Sequence, residues 1–300
     1  MPPSCRRAPA VAERAAPRRG AAAIGRAGWH GLAIGLPVVF VLVPILSFVL
    51  VSFWTQENGQ TIQRFTLDNY RAFFTDGGYL GVYLSTVLLS LEVTVVNVAI
   101  ALAVALYISR RSARIRFLLL MTFVLPLFMS YIIKVYSIRS ILGQRGLLNE
   151  AMMALGLIDA PIEALLFSRT AIFIALAVLY LPFAILPIYL ALDRIPANYL
   201  AASADLGGGT WDGLRRIVLP LGLPGVAVAA VFTFVLTLGD FVTPQMVGGT
   251  QGFTFGRIVY SQFGLALDWP LGSALAVILL ATTLLAVALA GVLLRKEHIR

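Results

Sequence analysis

Residues 199–220 read YLAASADLGGGTWDGLRRIVLP. The stretch is small, polar and glycine-rich, yet it is set between two long apolar runs. Pro196, just before it, suits the first turn of a helix, because a missing N–H is unpaired there anyway. NYLAASADL then predicts a short helix with an alanine-rich face. Gly207, Gly208 and Gly209 end it, since glycine enters the left-handed capping conformation at no steric cost. Thr210 is placed to cap a second short helix, WDGLRRIVL, with Asp212 in its favourable first turn. Pro220 leads into the next apolar run. Two short helices on a glycine hinge make a shape for docking a partner. An interfacial helix pair lying on lipid headgroups is the other reading of the same residues.

Composition makes the surroundings a membrane. The chain of 300 residues is 59% hydrophobic and 12% charged, against about 25% charged in soluble domains. Six segments are long and apolar enough to cross a bilayer, or nearly so. Residues 31–53, 170–192, 217–239 and 271–294 carry no charge, and 82–108 carry only Glu92. Residues 117–133 form a shorter run, expected to continue as helix past Lys134. The first run is too long for the apolar core of a signal peptide, so it is read as a retained helix.

The net charge of +9 is spent on topology. Arg6, Arg7, Arg14, Arg18, Arg19 and Arg26 crowd the N-terminal tail. Arg110, Arg111, Arg114 and Arg116 follow the second run. Arg194, Arg215 and Arg216 lie in the loop, and Arg295, Lys296 and Arg300 close the chain. These hold most of the 23 Lys and Arg residues. The bias puts both termini and the 193–219 loop on the cytoplasmic side. It does not form the phosphate-binding face of a nucleic-acid protein. Trp29, Trp54 and Trp269 fall at span ends, where indoles anchor in the interface.

The fold expected is an all-α integral membrane protein of six transmembrane helices with both termini cytoplasmic. A basic tail (1–29), taken as disordered, precedes the membrane domain (30–294), and a short tail (295–300) follows it.

Several chemistries are excluded. The single cysteine, Cys5, forms no disulfide within the chain, and His30 and His298 lie near opposite ends, which argues against zinc. Lys134 and Lys296, the only lysines, lack the glycine-rich context of a Walker A loop, so this chain has no nucleotide site of its own. An intramembrane aspartyl protease needs a Gly-x-Gly-Asp motif and a second intramembrane aspartate. Here the residues are TLGD, ending at Asp240, and no second aspartate lies in a span to make a dyad. Pro126, Pro182, Pro187 and Pro224 sit inside the apolar runs and free backbone carbonyls there.

The loop pattern, alanine-rich, then aspartate, Gly207, arginine and IVLP, resembles the cytoplasmic signature loop of permease subunits of binding-protein-dependent ABC importers. LPLFMSYIIKVYSIRSILGQRGLLNE (125–150), the stretch 156–192, LGDFVTPQMVGG (238–249) and DWPLGSAL (268–275) are similar to the spermidine/putrescine-type branch of that family. Together they span roughly 30–294, in order. One departure stands out: the family loop opens Glu-Ala-Ala, and Ala201 occupies the place of the glutamate.

The resemblance implies an inner-membrane, multi-pass transport subunit that is not itself an enzyme. Its loop would couple to an ATPase through Ala201, Ala202, Ser203, Asp205, Gly207, Arg215 and Pro220. Its partners would be two ATP-binding subunits carrying ATP and magnesium, a second and different permease subunit, and an extracytoplasmic solute-binding protein. The substrate implied is a polyamine. Ferric iron, thiamine and phosphonates are served by other permeases of the branch. A self-sufficient secondary transporter is the rival class, although no internal repeat of the kind such carriers show is visible.

Two acids lie in or beside spans, Glu92 and Asp240, where ionisable groups are costly and default to functional roles. Both are candidates to line the path of a cation. Asp240 has a helix-cap or inter-span role as its alternative. Glu92 has an ion pair with Lys134 as its alternative. Tyr131, Tyr136 and Trp269 offer rings to a cationic amine, or serve as interfacial anchors.

Overall fold

The computed structural model describes residues 19–162, 165 and 167–297. The expected disorder of the basic tail concerns residues that lie largely outside this range, as does the end of the C-terminal tail. The chain divides into two compact units, residues 1–47 and 48–300.

Helix α1 (Arg19–Val51) begins inside the segment assigned to the tail and carries Pro37 and Pro44. Its apolar described part, Gly35–Val51, is about 26 Å long at 1.5 Å per residue, slightly under the hydrocarbon thickness.

The second unit opens with a feature that the all-α expectation omits. Strands β1 (Thr55–Glu57) and β2 (Gln60–Ile62) pair antiparallel, Glu57 opposite Gln60. Asn58 and Gly59 make the turn with φ of 52° and 76°, the two-residue Asn-Gly hairpin connection. Helix α2 (Asp68–Thr75) follows, and the Asp76 side chain accepts the Gly78 N–H to start α3 (Gly77–Ser109).

The third apolar run is not one continuous helix. Helix α4 (Ala113–Val124) tightens into a 3₁₀ turn at Leu125–Phe128, and Met129 and Ser130 then go extended, with ψ of 147° and 135°. Pro126 lacks the N–H that would continue the ladder. Helices α5 (Tyr131–Leu142) and α6 (Leu147–Ala154) leave at 106° to the first half. The expectation of a helix running through 133 and past Lys134 is thereby corrected.

Helix α7 (Arg169–Asp193) keeps its course through Pro182 and Pro187. After α8 (Ala197–Asp205) comes α9 (Thr210–Gly213), which continues through a π turn at Leu214–Val218 into α10 (Leu219–Gly239). The short helices α11 (Val242–Val247) and α12 (Phe255–Ser261) lead to α13 (Trp269–Glu297). Among the described residues four helices have crossing length and apolarity, and a fifth arises if the bent pair counts as one span.

Helices α3, α7 and α10 form the packed centre. Hydrocarbon is as apolar as leucine, so helices associate here by close packing rather than by a hydrophobic gain. The contact surfaces accordingly carry small residues. On α3 these are Asn97, Ala101 and Ala105, all fully buried. On α10, Gly225 lies so close to α7 that a Cβ would stand 2.5 Å from the Ala191 Cβ and 2.7 Å from the Pro187 carbonyl. A separate cluster joins Phe73, Phe255 and Leu275, with the Tyr83 ring edge-on to Phe255 at 5.2 Å.

Candidate functional site

The loop after α7 is built much as its sequence implies. Asp193 ends the helix and accepts from Arg116 Nη1 at 2.7 Å, tying α4 to the start of the loop. Pro196 sits one place earlier than expected, at the N-cap, and Ala197 is the first helical residue. Helix α8 then closes on Gly207, whose φ is +81°. The Gly207 N–H donates to Ala204 O at 2.9 Å and the Gly208 N–H to Ser203 O at 2.8 Å. That pair of bonds is the usual glycine closure of a helix.

Two expectations for the second helix change. Gly209, not Thr210, holds the cap position, with no side-chain cap bond. The helix is also not separate: residues Thr210–Gly239 form one apolar helical stretch that passes through Pro220. Pro220 falls at the start of α10, directly after the π turn at Leu214–Val218, where the regular hydrogen-bond ladder is already displaced. Asp212 pairs with Arg216 at 3.4 Å, one turn on. Helix α8 folds back on α9, with Leu200 Cδ2 3.1 Å from the place of a Gly213 Cβ. Ala201, Ala202, Asp205 and Arg215 are exposed and Ser203 is half-buried. Leu206, 90% exposed, and Trp211, 69% exposed, flank the glycines. The result is a corner with two exposed apolar tips, Leu206 and Trp211.

A second cluster surrounds Asp240, which follows α10 and is 7% exposed. Its Oδ1 accepts the N–H of Val242 at 2.9 Å and of Thr243 at 3.1 Å, starting α11. Its Oδ2 accepts the hydroxyls of Tyr131 and, at 3.1 Å, of Tyr180. The Tyr131 hydroxyl also lies 2.6 Å from Thr243 Oγ1 and 3.2 Å from the Tyr180 hydroxyl. One carboxylate thus gathers α5, α7, α10 and α11, and its charge is held by four donors rather than by a cation. The Lys134 ammonium stands 5.7 Å from the Tyr131 ring centroid. Tyr136, on the same helix, is exposed and outside the cluster. Trp269 is half-exposed and packs edge-on against Phe263 at 5.5 Å. The side chain of Trp29 is not among those described.

Glu92 has a different partner from the lysine expected. Both its carboxylate oxygens lie 2.9 Å from Arg169 Nη2, at the start of α7. The pair borders a cleft of about 670 Å³ together with Leu91, Val95, Val96, Thr170 and Phe173. Lys134 lies instead beside Tyr131, on the broken span.

Sequence reading missed Arg169 and Tyr180. A signal existed for each. Arg169 is a base directly before an uncharged span, and Tyr180 is a hydroxyl inside one, where it requires a partner.

The chain matches the model of the family described as binding-protein-dependent transport system inner membrane component over residues 97–297. It is 30% identical over 247 residues to the spermidine/putrescine transport system permease protein PotB of Escherichia coli, covering 82% of this chain and 89% of that protein. The PotB protein of Haemophilus influenzae is 32% identical over 242 residues, covering 80% and 84%. A crystal structure of a bacterial alginate ABC transporter, in complex with a periplasmic protein bound to alginate pentasaccharide, superposes with a TM-score of 0.73 at 18% identity. The match covers 93% of this chain and 98% of that one, and shows the shared fold. With that fold, a family match across most of the membrane domain and several apolar helices, the chain belongs to the inner-membrane permease components of binding-protein-dependent ABC importers.

Proposed function

We propose that this chain is the subunit that couples ATP hydrolysis to polyamine import, by docking its 193–220 corner onto an ATP-binding subunit and lining half of the substrate path. The observation that carries the docking role is the corner itself: α8 closed by Gly207, folded onto α9, with Leu206 and Trp211 projecting. Ala201, Ala202, Ser203 and Asp205 present a low surface that a cleft can approach closely. Arg215 and Pro220 form the arm connecting the corner to α10. A push on the corner is transmitted along a helix that is continuous to Gly239, next to Asp240.

In this reading α1 and the broken α4–α6 segment each complete a crossing, giving six, with both termini cytoplasmic. The partners are two ATP-binding subunits, which hold ATP and magnesium, a second and different permease subunit, and an extracytoplasmic binding protein. This chain needs no cofactor of its own. Polyamine is favoured by the relatives at 30% and 32% identity and by Glu92, a half-exposed carboxylate bordering a cleft. Asp240, the second candidate, is buried with both oxygens already bonded. Tyr136 is the exposed ring on α5, the helix whose Tyr131 contacts Asp240.

The test is uptake of labelled putrescine and spermidine by proteoliposomes holding the complete importer, supplied with loaded binding protein. ATP-dependent uptake of either amine supports the reading. ATP-dependent uptake of a different solute, with neither amine carried, overturns the polyamine assignment. Uptake by this chain alone without ATP overturns the importer role.

A further inference from the structure

Arg169 stands between two clefts. One is the cleft of about 670 Å³ that holds Glu92. The other, about 290 Å³, is lined by Arg169 together with Ser85, Thr86, Phe253 and Thr254 among others. Among the described residues lining the two, Glu92 and Arg169 are the charged ones. Both side chains are roughly half-exposed. The α3 surface around them is apolar and exposed at Leu88, Leu91 and Val95. An ion pair left half-open in a span belongs to a face that meets water or protein, not lipid.

The two members of the pair are not equivalent. If an anion drew Arg169 away, Glu92 would be left among Leu91, Val95, Val96 and Phe173, with only the neutral Thr170 hydroxyl in the cleft in place of the guanidinium. If a cation takes Glu92, the long arginine side chain has a second cleft within reach, containing the Ser85 hydroxyl and the Phe253 ring. The Ser85 hydroxyl is the acceptor that cleft offers a guanidinium, since Arg257 already covers the Phe253 ring, 5.0 Å from its centroid.

We infer that Glu92 and Arg169 form a charge-exchange point for a cationic substrate. A substrate ammonium takes the two Glu92 oxygens, and Arg169 turns into the adjoining cleft. When the ammonium moves on, Arg169 returns and neutralises Glu92. The guanidinium acts as an internal stand-in for the substrate, so the acid never faces an apolar wall uncompensated. This inference rests on the polyamine-importer reading above.

The experiment compares wild type, E92Q, R169Q and the double variant E92Q/R169Q in the complete importer, at saturating putrescine-loaded binding protein. Uptake and ATP hydrolysis are read together. E92Q is expected to lose about tenfold in uptake, the worth of one charge-assisted contact, while stimulated ATP hydrolysis persists. R169Q is expected to lose about threefold, less than E92Q, since the carboxylate still takes the ammonium but has no guanidinium to displace it. The double variant, whose cleft is neutral, is expected to match E92Q and serves as the folding control. Equal losses in the two single variants, with recovery in the double, would mean a merely structural pair and overturn the inference. A larger loss in R169Q than in E92Q would mean an anionic substrate and also overturn it. No amine uptake by wild type would instead defeat the underlying reading.

Discussion

The Tyr180 hydroxyl on α7 donates to Asp240 Oδ2 at 3.1 Å, at the C-terminal end of α10. Tyr131, the first residue of α5 after the break, donates to the same oxygen. The half-helix α5 is therefore anchored by its first side chain to an acid that also starts α11. This fastening fixes the start of α5 just beyond the break at Met129 and Ser130.

Replacing Asp240 by asparagine substitutes an amide nitrogen, which cannot accept, for one acceptor oxygen. D240N is expected to destabilise the detergent-solubilised protein by about 2 kcal/mol, and Y180F by about 1 kcal/mol. Thermal unfolding followed by fluorescence checks both. A D240N midpoint equal to wild type would show that the network does not hold the fold.

The contact of α10 with α7 at Gly225 leaves no room for a side chain. G225A is expected to cost about 1–3 kcal/mol through overpacking, whereas G239A, with nothing within 4 Å of its Cβ position, is expected to cost well under that. The same thermal assay separates them.

The three loop glycines make distinct predictions. G207V forces a β-branched residue to φ of +81°, at a cost of roughly 1–2 kcal/mol. G208A sets a methyl 2.8 Å from the Ser203 carbonyl. G209A meets only Asp212, at 3.9 Å. ATP hydrolysis stimulated by loaded binding protein should fall in the first two variants and persist in G209A.

Asn97 is fully buried on α3, and among the described residues neither atom of its amide has a hydrogen-bond partner. An amide desolvated without compensation costs about 1–3 kcal/mol, so N97A is expected to leave the unfolding midpoint unchanged or raise it. A lower midpoint would show that the amide is satisfied in the membrane-embedded protein.

Much of this architecture was legible because span-length apolar runs and glycine punctuation are local signals. The loop boundaries, the closure at Gly207 and the placement of Glu92 and Asp240 at spans all follow from residues near one another in the chain. The partners of the two acids do not. Arg169 is 77 residues from Glu92, and Tyr180 and Tyr131 are 60 and 109 residues from Asp240. Lys134 was the nearest cation on the neighbouring span, but the bend at Met129 and Ser130 turns it away from α3. That break was visible only as Pro126, and proline alone does not separate a kink from a full reversal. The hairpin at Asn58 and Gly59 carried a recognisable turn dipeptide, but its strands are three residues each, too short to show alternation.

The most direct test of the central claim is affinity purification of the chain from its native membrane, with partners identified by mass spectrometry. Wild type should bring down an ATP-binding subunit. The variant L206D/W211D, which places charge on the exposed tips of the corner, should lose at least about tenfold of it while remaining in the membrane with its partner permease. Recovery of the ATP-binding subunit in equal yield from both proteins, or purification of the wild-type chain alone, would contradict the account.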